Sequence, residues 1–200
     1  MKAALLVTVL LALVGVAAIR HERGRRLEHR LAAVAGTIAG RPVHVHCQGV
    51  VGQVLDVSSE AGTVEFDAQG RPADRTVLKR SVCQALARFP HDVRTDAFEC
   101  MVRDLPCPRR IDEEAFSIHV LAHESWHLRG FQDEATAECL ALQTTADVAE
   151  RLGADFLHAA AVARFALEHV YPRMPDDYRS GDCRDGGRLD LRPSLAAWPG

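Results

Sequence analysis

Residues 113–153 read EEAFSIHVLAHESWHLRGFQDEATAECLALQTTADVAERLG, and this stretch decides the fold. EEAFSIHVLAHESWHL reads as one helix, broken at Arg129-Gly130. EATAECLALQTTADVAERLG reads as a second, with Asp133 as its N-cap and Gly153 at its end. ADFLHAAAVARFALEHVY continues as a third helix and stops at Pro172. The tail from Pro172 is rich in Pro, Gly and Asp and is expected to wrap the surface.

Upstream the pattern changes. RPVHVHCQGVVGQVLDVSS is rich in Val and partly alternating; the turn-like SEAG, then TVEFD and the turn AQGRP follow. That predicts two or three short strands joined by hairpins. TVLKRSVCQALARF reads as a helix capped by Asp74 or Thr76 and ending before Pro90, and residues 90–110 as a loop. The outline is α+β: a small antiparallel sheet or hairpin followed by a helical half.

Residues 3–19, AALLVTVLLALVGVAAI, are apolar without interruption, flanked by Lys2 and by Arg20, Arg23, Arg25 and Arg26. This length is short for a spanning helix yet exceeds most signal-peptide cores, and the Arg cluster argues for a retained single-pass anchor. The expected organisation is a transmembrane anchor or uncleaved signal over residues 1–20, a juxtamembrane helix or linker over 21–41, and one domain over 42–200. Arg on the C-terminal flank favours a cytoplasmic domain. Six Cys, at 47, 83, 100, 107, 139 and 183, favour an exported, disulfide-bonded one, which is the side taken here. Cys100 could pair with Cys107 and Cys139 with Cys183.

With 48% hydrophobic and 26% charged residues the chain can bury a core, and a net charge of -3 gives no basic excess for nucleic acid. The ten His are the unusual feature. His123 and His127, at i and i+4, face one side of a helix and can bind one Zn²⁺. Glu124 follows the first ligand and can act as general base on a water that the metal activates. Asp133, Glu134 and Glu138 all compete for the third ligand position. His119 extends the row of His by one turn, as a partner of the ligands or as a packed helix residue. His44 and His46 alternate in a strand and read as ordinary strand residues, and Trp126 as core. For stabilising a developing oxyanion, Tyr171, Tyr178, His158 and His169 lie downstream, with Tyr178 preferred. A substrate peptide could pair with the edge of the hairpin around Thr63 to Phe66.

HESWHLRGFQDEATAEC resembles the core of the gluzincin metallopeptidases, in which an H-E-x-x-H helix meets a second helix bearing E-x-x-A-D or a close variant. Glu134, Ala137 and Glu138 match that second helix, with Glu in place of the final Asp and a very short connection. The resemblance implies Glu134 as third zinc ligand and Glu138 as the residue orienting a ligand His. His123, His127, Gly130 and Asp133 resemble instead the Asp-liganded metzincins, with a Met-turn to be sought at Met174. The leading expectation is a membrane-anchored zinc metallopeptidase acting on peptide or protein substrates. The alternative is a non-catalytic anchored binding or structural protein stapled by zinc and disulfides, or a regulatory partner that has lost proteolysis.

Overall fold

The computed structural model describes residues 2–49, 60–194 and 198, with side chains from residue 15 onward except residue 17. A long helix α1 (Lys2–Ala39) leads into strands β1 (His44–Cys47), β2 (Gly62–Phe66) and β3 (Pro72–Leu78). Helices α2 (Arg80–Asp92), α3 (Glu99–Val102), α4 (Arg109–Arg129), α5 (Glu134–Leu152) and α6 (Phe156–Phe165) follow. The class is α+β, as expected.

Helix α4 is the axis of the domain: α1, α2, α5, α6 and the strands β2 and β3 all pack on it. Being covered on every side, it buries Ile111, Ala115, Ile118, Leu121, Ala122 and Leu128 together with His119, His123, Glu124 and Ser125. Burial all round explains why α4 lacks the one-sided apolar stripe of a surface helix. Gly130 stops it in the left-handed region at φ 114°, a conformation that costs a residue with a Cβ. Three residues later Asp133 caps α5, its carboxylate accepting from the Thr136 N–H at 2.8 Å and lying 2.6 Å from the Thr136 hydroxyl. Two consecutive helices are thereby turned back to back by a connection that positions both His of α4 against the first turn of α5.

Residues 21–41, expected as a juxtamembrane segment, continue α1 without a break as far as Ala39, and Gly40 turns the chain at φ 71°. The last turns of α1 belong to the domain core, with Leu31, Val34, Ala35, Ile38 and Ala39 buried. Arg129 donates to the Ile38 carbonyl at 2.9 Å, and Arg41 donates to Leu128 and Ala73 carbonyls at 3.1 and 2.8 Å, so the ends of α1, α4 and β3 are laced together. The expected anchor, residues 1–20, has a helical backbone from Lys2, but most of its side chains lie outside those described. Among the described residues no helix is long and apolar enough to cross a membrane.

The sheet corrects the expectation of an antiparallel one. Its order is β1-β3-β2; β2 and β3 form the antiparallel hairpin, while β1 runs parallel to β3 in the register His44↔Arg75 to Cys47↔Leu78. The parallel register brings Cys47 to the end of β3 where α2 begins, and there it bonds Cys83. An antiparallel β1 would leave Cys47 at the opposite end. Residues 72–78 are strand, not the start of a helix. Thr76 and Val77, β-branched and paired on both sides, are better accommodated there. Helix α2 therefore starts at Arg80, and Asp74 and Thr76 cap nothing. It also runs past Pro90 to Asp92, so that Pro90 lies inside the last turn of the helix rather than beyond it. Residues 90–110 are not wholly loop: a 3₁₀ turn at Asp96–Phe98 and α3 sit within them. After α6 the chain forms a π-helical turn at Ala166–Val170 and a 3₁₀ turn at Tyr171–Arg173.

All six Cys are paired, as Cys47–Cys83, Cys100–Cys107 and Cys139–Cys183. The last bond ties the tail to α5. Gln143 on α5 holds the tail a second time, donating to the Leu189 carbonyl at 2.8 Å and accepting from the Leu191 N–H at 2.7 Å.

Candidate metal centre

Glu134 opens α5 directly opposite the His pair of α4. His123 Nε2 and His127 Nε2 lie 2.9 Å apart, and Glu134 Oε2 lies 3.1 and 3.2 Å from them. The other nitrogen of each ring is engaged. His123 Nδ1 donates to Glu138 Oε2 at 2.9 Å, and His127 Nδ1 donates to the Phe131 carbonyl at 2.6 Å. With both Nδ1 atoms acting as donors, the two Nε2 atoms present lone pairs to each other and to a carboxylate oxygen. Three lone pairs converging in a buried place repel one another unless a cation lies between them. A tetrahedral ion with bonds of about 2.0–2.1 Å places its ligands about 3.3 Å apart, close to the separations found here. The donor set therefore fits a metal ion.

Electrostatics favours positive charge at this place, whether a proton or a metal ion. Burial holds the His123 imidazole toward neutrality, but hydrogen bonds to Glu134 and Glu138 and the charge of Glu124 outweigh it and push its pKa up to about 10. Burial also works against a charge on Glu134, yet the bonds to His123 and His127 hold its carboxyl well below the usual range. Glu138 is fully buried; against that burial, His119 and His123 bring its pKa down to about 2. Its second oxygen accepts from His119 Nε2 at 2.8 Å, and His119 Nδ1 lies 2.9 Å from the Thr145 hydroxyl on α5. His119 thus stands behind the cluster of His123, His127 and Glu134 and supports it through Glu138.

Glu124 points beneath the hairpin and borders the same cavity as His123, His127 and Glu134. It is almost fully buried, and Thr76 Oγ1 lies 3.2 Å from its Oε2 and 3.1 Å from the Thr63 carbonyl. Burial raises its pKa despite the pull of His123 and His127. Gly62 at the start of β2 lies so close that a Cβ there would come within 2.7 Å of the Glu124 carboxylate. Tyr178, in the short turn Asp176–Tyr178 of the tail, stacks on His123 with centroids 5.7 Å apart and planes 21° apart. Burial and then the charge of Glu134 raise its pKa, so its hydroxyl stays a proton donor.

These side chains border a cavity of about 240 Å³, which also meets Gln132 and Phe66. A second cavity, of about 410 Å³, adjoins it past His123 and Tyr178 and reaches Met174.

The residues singled out from sequence are thus largely gathered in one place: His119, His123, Glu124, His127, Glu134, Glu138 and Tyr178. Asp133 is not among them, since its carboxylate is spent on capping α5. Tyr171 exchanges hydrogen bonds with Ser180, His158 with Asp155, and His169 lies near Asp104 and Glu168. That exposed trio is the other group of possible metal ligands among the described residues. His46 pairs with Glu28 at 3.2 Å, and Trp126 is buried with its indole donating to Thr144 at 2.9 Å. Gly62, Thr76, Thr145 and the Phe131 carbonyl were not legible as site residues, because no spacing in sequence links them to the motif. Compared with known protein families, curated proteins and solved structures, the chain matches none.

Proposed function

We propose that this chain is a zinc-dependent metallopeptidase of gluzincin-like design, with His123, His127 and Glu134 as metal ligands. The observation that carries this reading is the convergence of His123 Nε2, His127 Nε2 and Glu134 Oε2 at 2.9–3.2 Å, with both Nδ1 atoms otherwise bonded. Zn²⁺ suits two imidazoles and a carboxylate, and a set of three protein ligands is that of a catalytic rather than a closed structural site. Bound there, the metal supplies Lewis acidity toward a carbonyl and lowers the pKa of a water. Glu138 orients His123 and keeps its Nε2 free for the ion. Glu124, raised in pKa and held by Thr76, takes a proton from the attacking water and hands it to the leaving amine. The Tyr178 hydroxyl donates to the developing oxyanion. Among the described residues β2 is an edge strand of the sheet; it borders the same cleft and offers backbone groups to an extended peptide.

The reading includes an N-terminal membrane anchor over residues 1–20 and an extracytoplasmic domain, supported by the apolar run and by three disulfides. A purely structural zinc site is less well supported, because Glu138, the fourth acid or imidazole group at hand, is turned away onto His119 and His123.

Elemental analysis of the purified full chain tests the proposal. About one zinc per chain is expected, lost in Glu134→Ala and retained in Glu124→Gln. Hydrolysis of a peptide library should fall by at least about 1,000-fold in Glu124→Gln, of the order seen when a group acting in the chemical step is removed. A folded parent without zinc, or a Glu124→Gln chain that still cleaves, would sink it.

A further inference from the structure

Resting on the peptidase reading, we infer that the 410 Å³ cavity beside the metal group is a subsite for a Lys or Arg side chain, read by Glu60 and Asp177. One face of its wall is apolar, formed by Phe116, Val120, Met174 and Pro175, and another carries His119, His123, Glu124 and Glu138, while Glu60 and Asp177 stand at its exposed rim. Glu60 comes from the strand side of the cleft, just before β2, and Asp177 from the tail beside Tyr178. Apolar wall and anionic rim match the two halves of a long basic side chain, whose methylene stem packs against carbon while its charged head stays near water.

Charge complementarity points the same way. Among the described residues, no Lys or Arg lines either this cavity or the 240 Å³ cavity over His123, His127 and Glu134. Glu60 accepts from the Thr63 hydroxyl at 3.3 Å, and among the described residues neither carboxylate is paired with a Lys or Arg. The two cavities share Glu60, Gly62, His123, Glu124 and Tyr178. A peptide whose carbonyl lies over the metal group therefore places a neighbouring side chain in the larger cavity. An acidic side chain there would face two like charges, and a small one would leave the cavity unfilled.

The full chain, loaded with zinc in detergent micelles, is offered peptides that differ only in having Lys, Arg, Ala, Leu or Glu next to the cleaved bond. Lys and Arg should raise kcat/KM about tenfold over Ala, with Glu the poorest. The double variant Glu60→Gln/Asp177→Asn should bring the Lys-to-Ala ratio close to one, and Glu60→Lys/Asp177→Lys should turn the preference toward Glu. Zinc content reports whether each variant is folded. A wild type that cleaves without a basic preference overturns the inference, as does a double variant that keeps it. Binding of fluorescein-labelled Lys and Glu peptides to zinc-loaded Glu124→Gln separates this failure from that of the peptidase reading. If nothing is cleaved but the Lys peptide binds about tenfold tighter, and the double variant removes the difference, the subsite stands and catalysis does not. Equal binding of the two peptides overturns the subsite.

Discussion

At the scale of single residues, the site depends on what surrounds each titratable group rather than on the motif alone. In the proposed peptidase Glu124 serves as base, with Thr76 steadying one oxygen and Gly62 leaving room for the other. Gly62→Ala should retain its zinc, since no ligand is touched, yet lose about 100-fold in kcat, because its Cβ displaces the carboxylate of Glu124. Unchanged turnover in a zinc-loaded Gly62→Ala chain would remove Glu124 from the chemical step. Glu138 works one layer back. Glu138→Gln should weaken zinc affinity about 10–100-fold, measured by chelator competition, because His123 loses the carboxylate that fixes its tautomer and His119 loses its partner. The first effect arises 61 positions before His123, where spacing rules say nothing; the second arises on the next helix, where the resemblance to the gluzincins already pointed to Glu138.

At the scale of elements, the junction between α4 and α5 carries the assignment of the third ligand. Asp133 and Glu134 are neighbours in sequence, but the α5 N-terminus gives them different work: Asp133 caps two donors of Thr136, while Glu134, one residue into the helix, faces the His pair. Asp133→Ala should cost about 1 kcal/mol in urea unfolding and leave zinc stoichiometry intact. Loss of zinc in that variant, with Glu134→Ala retaining it, would reverse the assignment toward a metzincin-like set. The helix boundaries around the motif were readable, since Gly130, Asp133 and Gly153 are local signals and act locally. The strand β3 was not. TVLKRSVC has a helical period of its own, and only pairing with β1 and β2 on both sides makes Pro72–Leu78 extended.

At the scale of the molecule, the second buried charge cluster governs how stability responds to pH. Glu114 on α4 is wholly buried, and burial, only partly offset by Arg88, pushes its pKa from 4.5 up to about 7, with Asp92 close by adding to the rise. Arg88 lies 3.1 Å from it on α2, and Asp92 is in turn held by Arg110 at 3.0 Å and His91 at 2.9 Å. A folded-state pKa above the unfolded one means that the native protein binds the proton more tightly. Its stabilising contribution is therefore full below pH 4.5 and lost as pH rises through about 7. Across that window the unfolding midpoint of the wild type should fall more than that of Glu114→Gln. Equal slopes would place Glu114 in ordinary solvation.

What the sequence by itself determined is everything that rests on local chain geometry. His123 and His127 fall on one face of a helix by their spacing, and Asp133, Gly130 and Gly153 punctuate the two helices. The α+β outline follows from the Val-rich, partly alternating segments upstream and the helical pattern from Asp112 onward. Two of the three disulfides, Cys100–Cys107 and Cys139–Cys183, were also among the pairings it suggested. Only the tertiary structure decided the rest: the parallel placement of β1, the hairpin that brings Gly62 and Thr76 under Glu124, and the choice of Glu134 over Asp133 to face the His pair. It also drew the tail back until Tyr178 stacks on His123. The physical reason is the same in each case. These contacts join segments far apart in the chain, and their geometry comes from packing around α4, which no local pattern encodes.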